Sequence, residues 1–412
     1  MRTTIIKNGR AVLPDKVVKA DIVVRGDRIE AILTESQEQA TASNENHQLQ
    51  SLSGDAVTVI DAENRYILPG LVDIHCDAIE KEVQPRPNTL FPLQMALIEF
   101  ERKLPVHGIT SMYHSLSLGV GLSLRGDHLL TQMVELIHAY KQRRAMIRHG
   151  IHLRYEVSHL AGIPVVERYV QEGKIDYLSF MDHSPGQGQY KAPGSFESYV
   201  MKNQAVNREE VQQIVEELLT RQQLVDWNHL ERLGKLAAQK GISVASHDDD
   251  SPERVDHFLG FGVNISEFPM NLQTAEHAMR KGLHVCVGAP NVVRGGSHDK
   301  NLSAIAAIGA GAANILCSDY HPASLLAAVF KLSGLYDSSG LTQGLPEAVA
   351  MASLNPAKAL GVDKQLGSIE IGKKSDLIIV DTFDGYPMVS TALVNGTIVY
   401  ESSAYYPLHE TN

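Results

Sequence analysis

Five apolar stretches of this sequence stop on histidines and acids. "GLVDIHCD" ends in His75 and Asp77, "IHLRYEVSH" carries Glu156, and "YLSFMDHSPGQ" carries Asp182 and His183. "ISVASHDDD" ends in His247 and Asp248, and "NILCSDYHP" in Asp319 and His321. In a strand, residues i and i+2 point the same way, so His75 and Asp77 converge while Cys76 faces away. One such histidine reads most simply as a hydrogen-bonded structural residue. Five strand ends of the same kind do not, because buried ionisable groups are costly unless paired or bound to metal. A pair of divalent cations accounts for them together. Two ions about 3.5–4 Å apart can hold a hydroxide between them and bring its pKa towards neutrality.

Such residues need elements that point them at one place. From Leu68 to about Leu360, apolar strand-like runs alternate with helical stretches, the pattern of βα units and a parallel sheet. Strand ends fall near His75, His114, Glu156, His183, His247, Glu267, Gly288 and Asp319. Eight parallel strands close a (β/α)8 barrel, whose active site lies at the C-terminal strand ends, where these polar residues stand. "NREEVQQIVEELLTRQQLVDWNHLERLGKLAAQKG" reads as one helical stretch, with Asn207 as N-cap, Glu210 three residues on, and Gly241 at its end.

The two ends of the chain differ from its centre. "TTIIKNGRAVL" and "ADIVVRGDRIEAIL" alternate apolar and polar residues around Asn8-Gly9 and Gly26-Asp27 turns. "GSIEIGKKSDLIIVD" and "TALVNGTIVYES" repeat the style, the second turning at Asn395-Gly396. The expected fold class is therefore α/β: a barrel over residues 67–361 and a small β-sandwich from residues 1–66 and 362–412. "ESQEQATASNENHQLQSLSGD" has no periodicity and reads as a mobile surface loop.

Composition narrows the partners. The chain has 412 residues, 43% hydrophobic and 21% charged, as in a soluble globular protein. A net charge of -11 argues against nucleic acid or a membrane surface as partner. A small anionic substrate remains open to it through a local cluster of Arg, Lys and His. Three cysteines, Cys76, Cys286 and Cys317, make no disulfide framework. The start "MRTTIIKNGRAVLPDK" lacks a signal peptide's apolar core and no run approaches the ~20 apolar residues of a membrane span, so a cytoplasmic location is expected. A homodimer is compatible with all of this.

His75 on the first barrel strand, an acid further on, two later histidines and a last-strand aspartate resemble the amidohydrolase superfamily. A β-sandwich made from both termini resembles that superfamily too. "HCDAIEKEVQPRP", "MDHSPGQ", "ASHDD", "EFP", "GAPNVVRGGSH" and "SDYHPASLL" resemble, more narrowly, its phosphonate-metabolism branch. The resemblance implies hydrolysis of α-D-ribose 1-methylphosphonate 5-triphosphate, a phosphorylated ribose, to the 5-phosphate and pyrophosphate, just ahead of C–P bond cleavage. It implies two divalent metal ions on His75, Asp77, Glu156, His183, His247 and Asp319. Glu156 would bridge them where other members use a carboxylated lysine, and Asp319 would also take the proton from the attacking water as the catalytic base. Three imidazoles and three carboxylates suit Zn, Mn or Fe alike. The superfamily usually has His-x-His on the first strand; Asp77 in the second position fits the branch. "EFPMNLQTAEHA" departs from the threonines usual after "EFP", which leaves the exact substrate open.

A triphosphate needs cations and hydrogen-bond donors. Arg86 follows the first-strand residues, and "NVVRGGSHDKN" offers Asn291, Arg294, Ser297 and His298 around two glycines that let backbone approach an anion. His321 stands beside Asp319 as a further substrate contact. A structural salt bridge is the alternative for both arginines, an even one for Arg86 and a lesser one for Arg294. Asp182 and Asp248 would orient the metal ligands from behind, although Asp248 and Asp249 read equally as caps of the helix that follows. Two other functions stay on the table: an amidohydrolase acting on a C–N or amide bond, of deacetylase or deaminase type, and a non-catalytic scaffold that retains the barrel.

Several motifs fail on inspection. "GSIEIGKKS" nearly spells a P-loop, but Lys374 takes the Ser/Thr position and no helix follows. "GAGAAN" lacks the third glycine of a dinucleotide fingerprint, and no G-x-S-x-G elbow occurs. Cys76 and Cys317 flank candidate ligands and read as small packing residues on the opposite face.

Overall fold

The computed structural model describes residues 2–34, 57–86, 89–119, 127–143, 145–190, 194, 196–197, 200–201, 208–297, 301–336 and 343–402. The polar loop expected after Thr34, the Asn207 cap and His298 lie outside these residues. In chain order the strands are β1 (Thr3–Val12), β2 (Val17–Arg25), β3 (Arg28–Thr34), β4 (Val57–Asp61) and β5 (Tyr66–Pro69). Then come β6 (Leu71–Cys76), β7 (Ile109–Leu118), β8 (Arg148–Glu156), β9 (Tyr177–Met181) and β10 (Ser243–His247). They are followed by β11 (Ile265–Glu267), β12 (His284–Gly288), β13 (Ile315–Cys317), β14 (Leu377–Phe383), β15 (Tyr386–Val394) and β16 (Thr397–Glu401).

Strands β6 to β13 form one parallel eight-stranded sheet in sequence order, with helices between successive strands. A parallel bridge between Cys76 and Asp319 brings its two edges together, so the sheet is a nearly closed barrel. Its floor is an apolar cluster that includes Val72, Ile74, Tyr177, Ala245, Ile265, Cys286, Ile315 and Cys317. Cys317 thus sits on the inner side below Asp319, not on the opposite face as the strand reading had it, and it is plainly a packing residue. Strand β7 runs on to Leu118, past His114, whose ring turns outward against Phe100 and His149.

The remaining strands make a second eight-stranded sheet, in the order β16-β15-β14-β5-β1-β2-β3 with β4 also on β1. Period-two alternation assigns its faces. Ile378 and Val380 of β14 join the barrel's large outer core, while Leu377 and Ile379 join Ile6, Ile22, Ile29 and Ile67 in the sheet's own core. Turns at Gly26-Asp27 and Asn395-Gly396 separate strands as expected. Asn8-Gly9 does not: β1 passes straight through, and the positive φ of Asn8, 58°, marks a register shift against β2. Residues 367–375, read above as strand, form bends, a turn and a single antiparallel bridge from Lys374 to Arg28 instead, and β14 starts only at Leu377.

The long helical stretch is two helices, Arg208–Gln223 and Trp227–Gln239. Asp226 breaks it, because its carboxylate accepts from the His229 backbone N–H at 3.0 Å and starts a new helix. Gly241, at φ 77°, follows the second helix as a left-handed terminator. No described helix is long and apolar enough to cross a membrane.

A polar joint ties the sheets together. Arg148, opening β8, donates to Asp376 Oδ2 at 2.6 Å through Nε and to Oδ1 at 3.1 Å through Nη2, and Asp376 is nearly buried. Removing one partner strands the other. Arg148→Ala should therefore cost about 2 kcal/mol in urea denaturation. An unchanged midpoint would show the joint to be idle.

Candidate metal centre

The C-terminal strand ends converge as polar side chains above the apolar floor. His75, at the end of β6, is buried, and its Nδ1 lies 2.8 Å from Glu267 Oε1 at the end of β11. At the end of β8, Glu156 meets His183 twice: its Oε2 is 3.0 Å from the ring Nδ1, and its Oε1 accepts the His183 backbone N–H at 3.0 Å. His183 Nε2 lies 3.5 Å from Asp248 Oδ2, and His247 Nδ1 lies 3.2 Å from the same oxygen. The His247 ring stands 5.6 Å from both the His75 and His183 rings.

Backbone geometry helps to aim these groups. Asp248 (φ 55°) and Phe268 (φ 52°) follow β10 and β11 directly, and Asp319 (φ 58°) follows β13 by two residues. Left-handed backbone costs a non-glycine residue about 1–3 kcal/mol, and such strain concentrates where side chains must be turned to a task. Phe268 uses it to pack its ring edge-on to His75 at 4.9 Å.

Among the described residues, two groups have ligand atoms spaced to hold a cation: His75, His247 and Glu267, and His183, His247 and Asp248. His247 belongs to both. The buried atoms also need a partner: His183 Nε2, His247 Nδ1, Asp248 Oδ2 and Glu267 Oε2 have no hydrogen bond. Burial, then Arg154 and His247, hold His75 well below the usual imidazole range, so it is neutral and able to ligate. Burial opposes charge on His183, but Glu156 and Asp248 push it up to about 9. Burial likewise opposes ionisation of Asp248, yet His247 and His183 hold it far below the usual carboxylate range. Burial first, then neighbouring Asp77, raises Asp319 to about 7 against the pull of Arg154. Acids and imidazoles that are buried, crowded and partly unsatisfied fit divalent cations.

The sequence-assigned residues fare differently. His75, His183 and His247 stand together. Glu156 clasps His183 from one side. Asp77 occupies the N-cap position of the helix Ala78–Val83, with its Oδ2 3.6 Å from Arg154 Nη1. Asp248, assigned a supporting role, lies inside one of the two groups. Asp182 instead faces away: Oδ1 accepts from Ser184 N at 3.2 Å and Oδ2 from Gln222 Nε2 at 3.2 Å. The Asn291 amide is engaged on both sides, donating to Leu302 O at 3.0 Å and accepting from Ala304 N at 3.1 Å. Arg86, Arg294 and His321 are exposed, and among the described residues no hydrogen bond or ion pair joins them to the cluster. Ser297 is part-exposed.

Two residues of the cluster had been given no role. Glu267 pairs in register with His247 across β10 and β11, a placement that the strand end "NISEFP" hinted at. Arg154 precedes Glu156 by two residues in β8 and so shares its face, a signal present in "HLRYE".

The amidohydrolase family model matches residues 228–401. The α-D-ribose 1-methylphosphonate 5-triphosphate diphosphatase of Escherichia coli is 32% identical over 386 residues, covering 93% of this chain and 96% of that protein. An imidazolonepropionase of Porphyromonas gingivalis is 26% identical over 381 residues, 84% of this chain and 83% of its own. Among solved structures, the 5-methylcytosine deaminase of Klebsiella pneumoniae superposes with a TM-score of 0.64 at 14% identity, covering 99% of this chain and all of that one. N-acetylglucosamine-6-phosphate deacetylase of Pasteurella multocida does so at 0.58 and 13%, covering 96% and 98%; both show the fold. With a barrel, a terminal sheet, clustered strand-end imidazoles and a full-length relative, this chain belongs to the amidohydrolase family.

Proposed function

We propose that this hydrolase cleaves α-D-ribose 1-methylphosphonate 5-triphosphate to the 5-phosphate and pyrophosphate, within phosphonate breakdown in the cytoplasm. The observation that carries the reading is the breadth of its match to the E. coli diphosphatase, which spans 93% of this chain and 96% of the relative. Two divalent ions, Zn, Mn or Fe, are part of the proposal, held by His75, His183 and His247 with Asp77, Glu156, Asp248, Glu267 and Asp319. When bound, they would supply Lewis-acid polarisation of a phosphoryl group and a more acidic water. Asp319, half-buried among the strand-end acids, accepts the proton of the attacking water. The buried cluster excludes bulk water from the reacting phosphorus, which strengthens each electrostatic contact. Water adds to one of the two phosphorus atoms flanking the α–β bridge, the bridging P–O bond breaks, and the phosphate group on its other side leaves with the electron pair.

A second reading, hydrolysis of a C–N bond, draws on the imidazolonepropionase match over 381 residues. One experiment separates the two. The purified chain, loaded with Mn²⁺ or Zn²⁺, is incubated with the triphosphate in ¹⁸O water and followed by ³¹P spectra. Pyrophosphate should appear, and the label reports which phosphorus is attacked. No turnover with metal bound would sink the diphosphatase reading.

A further inference from the structure

Sequence reasoning gave the substrate's charge to Arg86 and Arg294, both of which are exposed. The barrel mouth contains a different cation. Arg154 is the single buried lysine or arginine among the described residues, 7% exposed. It points inward from β8 beside Glu156, yet its guanidinium is poorly served. Nη1 is 3.6 Å from Asp77 Oδ2, Nη2 is 3.4 Å from His247 Nε2, and the buried Nε has no hydrogen bond. Charge-assisted contacts settle at about 2.7–2.9 Å, so neither Nη contact is a closed ion pair. A guanidinium has five N–H donors, and leaving them unsatisfied in a buried site is costly. Asp77 and His247 are also groups that a metal would claim, and once claimed they serve Arg154 still less. A planar fork in that position matches two oxygens of a phosphoryl group, which a lysine's point charge does not.

We propose that Arg154 is a substrate-binding residue whose guanidinium grips paired oxygens of a polyphosphate at the candidate metal centre. The proposal rests on the diphosphatase reading and deepens it. Fixed positive charge there also offsets the negative charge that grows on the departing bridging oxygen. The competing role is that of a counter-ion for Asp77 and Asp319 alone, which would show in metal content and melting temperature but not in anion affinity.

The test is calorimetric titration of the metal-loaded chain with inorganic pyrophosphate, for wild type, Arg154→Lys and Arg154→Gln. Metal content and Tm are recorded for each, and wild-type turnover of the triphosphate is measured in parallel. Arg154→Gln should weaken pyrophosphate binding roughly 10- to 100-fold at unchanged metal content, with Arg154→Lys in between. Binding within twofold of wild type, or a loss that merely tracks lost metal, would overturn the proposal. So would a wild type that binds no pyrophosphate. Should Arg154→Gln fail to fold, Arg154→Lys decides: wild-type affinity would reject the forked contact. If wild type binds pyrophosphate but leaves the triphosphate intact, the diphosphatase reading fails, while the same affinity difference still decides the role of Arg154.

Discussion

His247→Asn should strip the barrel of bound metal and lower turnover by at least about a hundredfold. Even residues that only support a metal ligand typically change affinity or activity by 10–100-fold, and a direct ligand removes more. His247 stands at the overlap of the two candidate groups, so one substitution removes an imidazole from both. Its ring also spaces its neighbours, 5.6 Å from His75 and 5.6 Å from His183. Asparagine keeps a polar side chain of smaller size, which limits the packing damage. Metal per chain by mass spectrometry and turnover of the triphosphate should fall together. Asp182→Asn provides the contrast: that carboxylate turns to Ser184 and Gln222, so metal content should hold. Full metal occupancy in His247→Asn would mean that the overlap is not where the ions bind.

Glu101→Leu should destabilise the fold by about 3–5 kcal/mol, as expected when one member of a buried ionic network is removed. Glu101 lies outside the barrel, on the helix Leu93–Lys103, and is 1% exposed. It accepts from His149 Nε2 at 2.9 Å, the Tyr140 hydroxyl at 2.7 Å and the Met146 backbone N–H at 2.6 Å. His149 in turn lies 2.7 Å from His114 Nε2, so the leucine leaves a chain of donors without an acceptor. Denaturation midpoints in urea measure the loss.

The same network predicts a pH dependence with a definite sign. Burial alone would raise the Glu101 pKa, but its donors outweigh burial and hold it below the ordinary 4.5. A depressed folded pKa gives stability that is fully present above the unfolded value and lost as pH falls through the folded one. Glu101→Gln cannot ionise, so the stability gap between wild type and this variant should be widest near neutrality and shrink below about pH 4.5. A gap of constant width on acidification would show that ionised Glu101 contributes nothing.

Much of the frame was legible because parallel strands are buried on both faces and read as short apolar runs. "LVDIHC", "YLSFM" and "SVASH" each end where a strand in the barrel ends or nearly so. The register within those runs was harder to read. His114 falls inside a strand and turns outward, because β7 extends to Leu118. Cap chemistry that breaks a helix, as at Asp226, competes with a periodic pattern that continues past it, and the pattern was the louder signal. In the polar cluster, histidines at strand ends announced themselves. Arg154 did not, because a lone arginine in an apolar strand looks like an edge residue until both faces of the strand are known to be buried. Arg86 and Arg294 drew attention through proline and glycine neighbours, which report backbone shape and not where a side chain lies in space.

The terminal sheet sets an order on the chain's birth. Strand β5 lies between β1 and β14, and Ile67 of β5 pairs with Ile379 of β14, more than three hundred residues downstream. At a synthesis rate of about 5–20 residues per second, one edge of β5 waits roughly 15–60 s for its partner. The barrel strands all emerge within that interval, so the hydrolase centre can assemble before its flanking sheet is complete. Meanwhile the apolar residues Ile67 and Leu68 sit on an open strand edge, the kind of surface that recruits other nascent chains. A chain that stops between the helix Leu354–Ala359 and β14 would thus carry every barrel strand beside an unsealed flank.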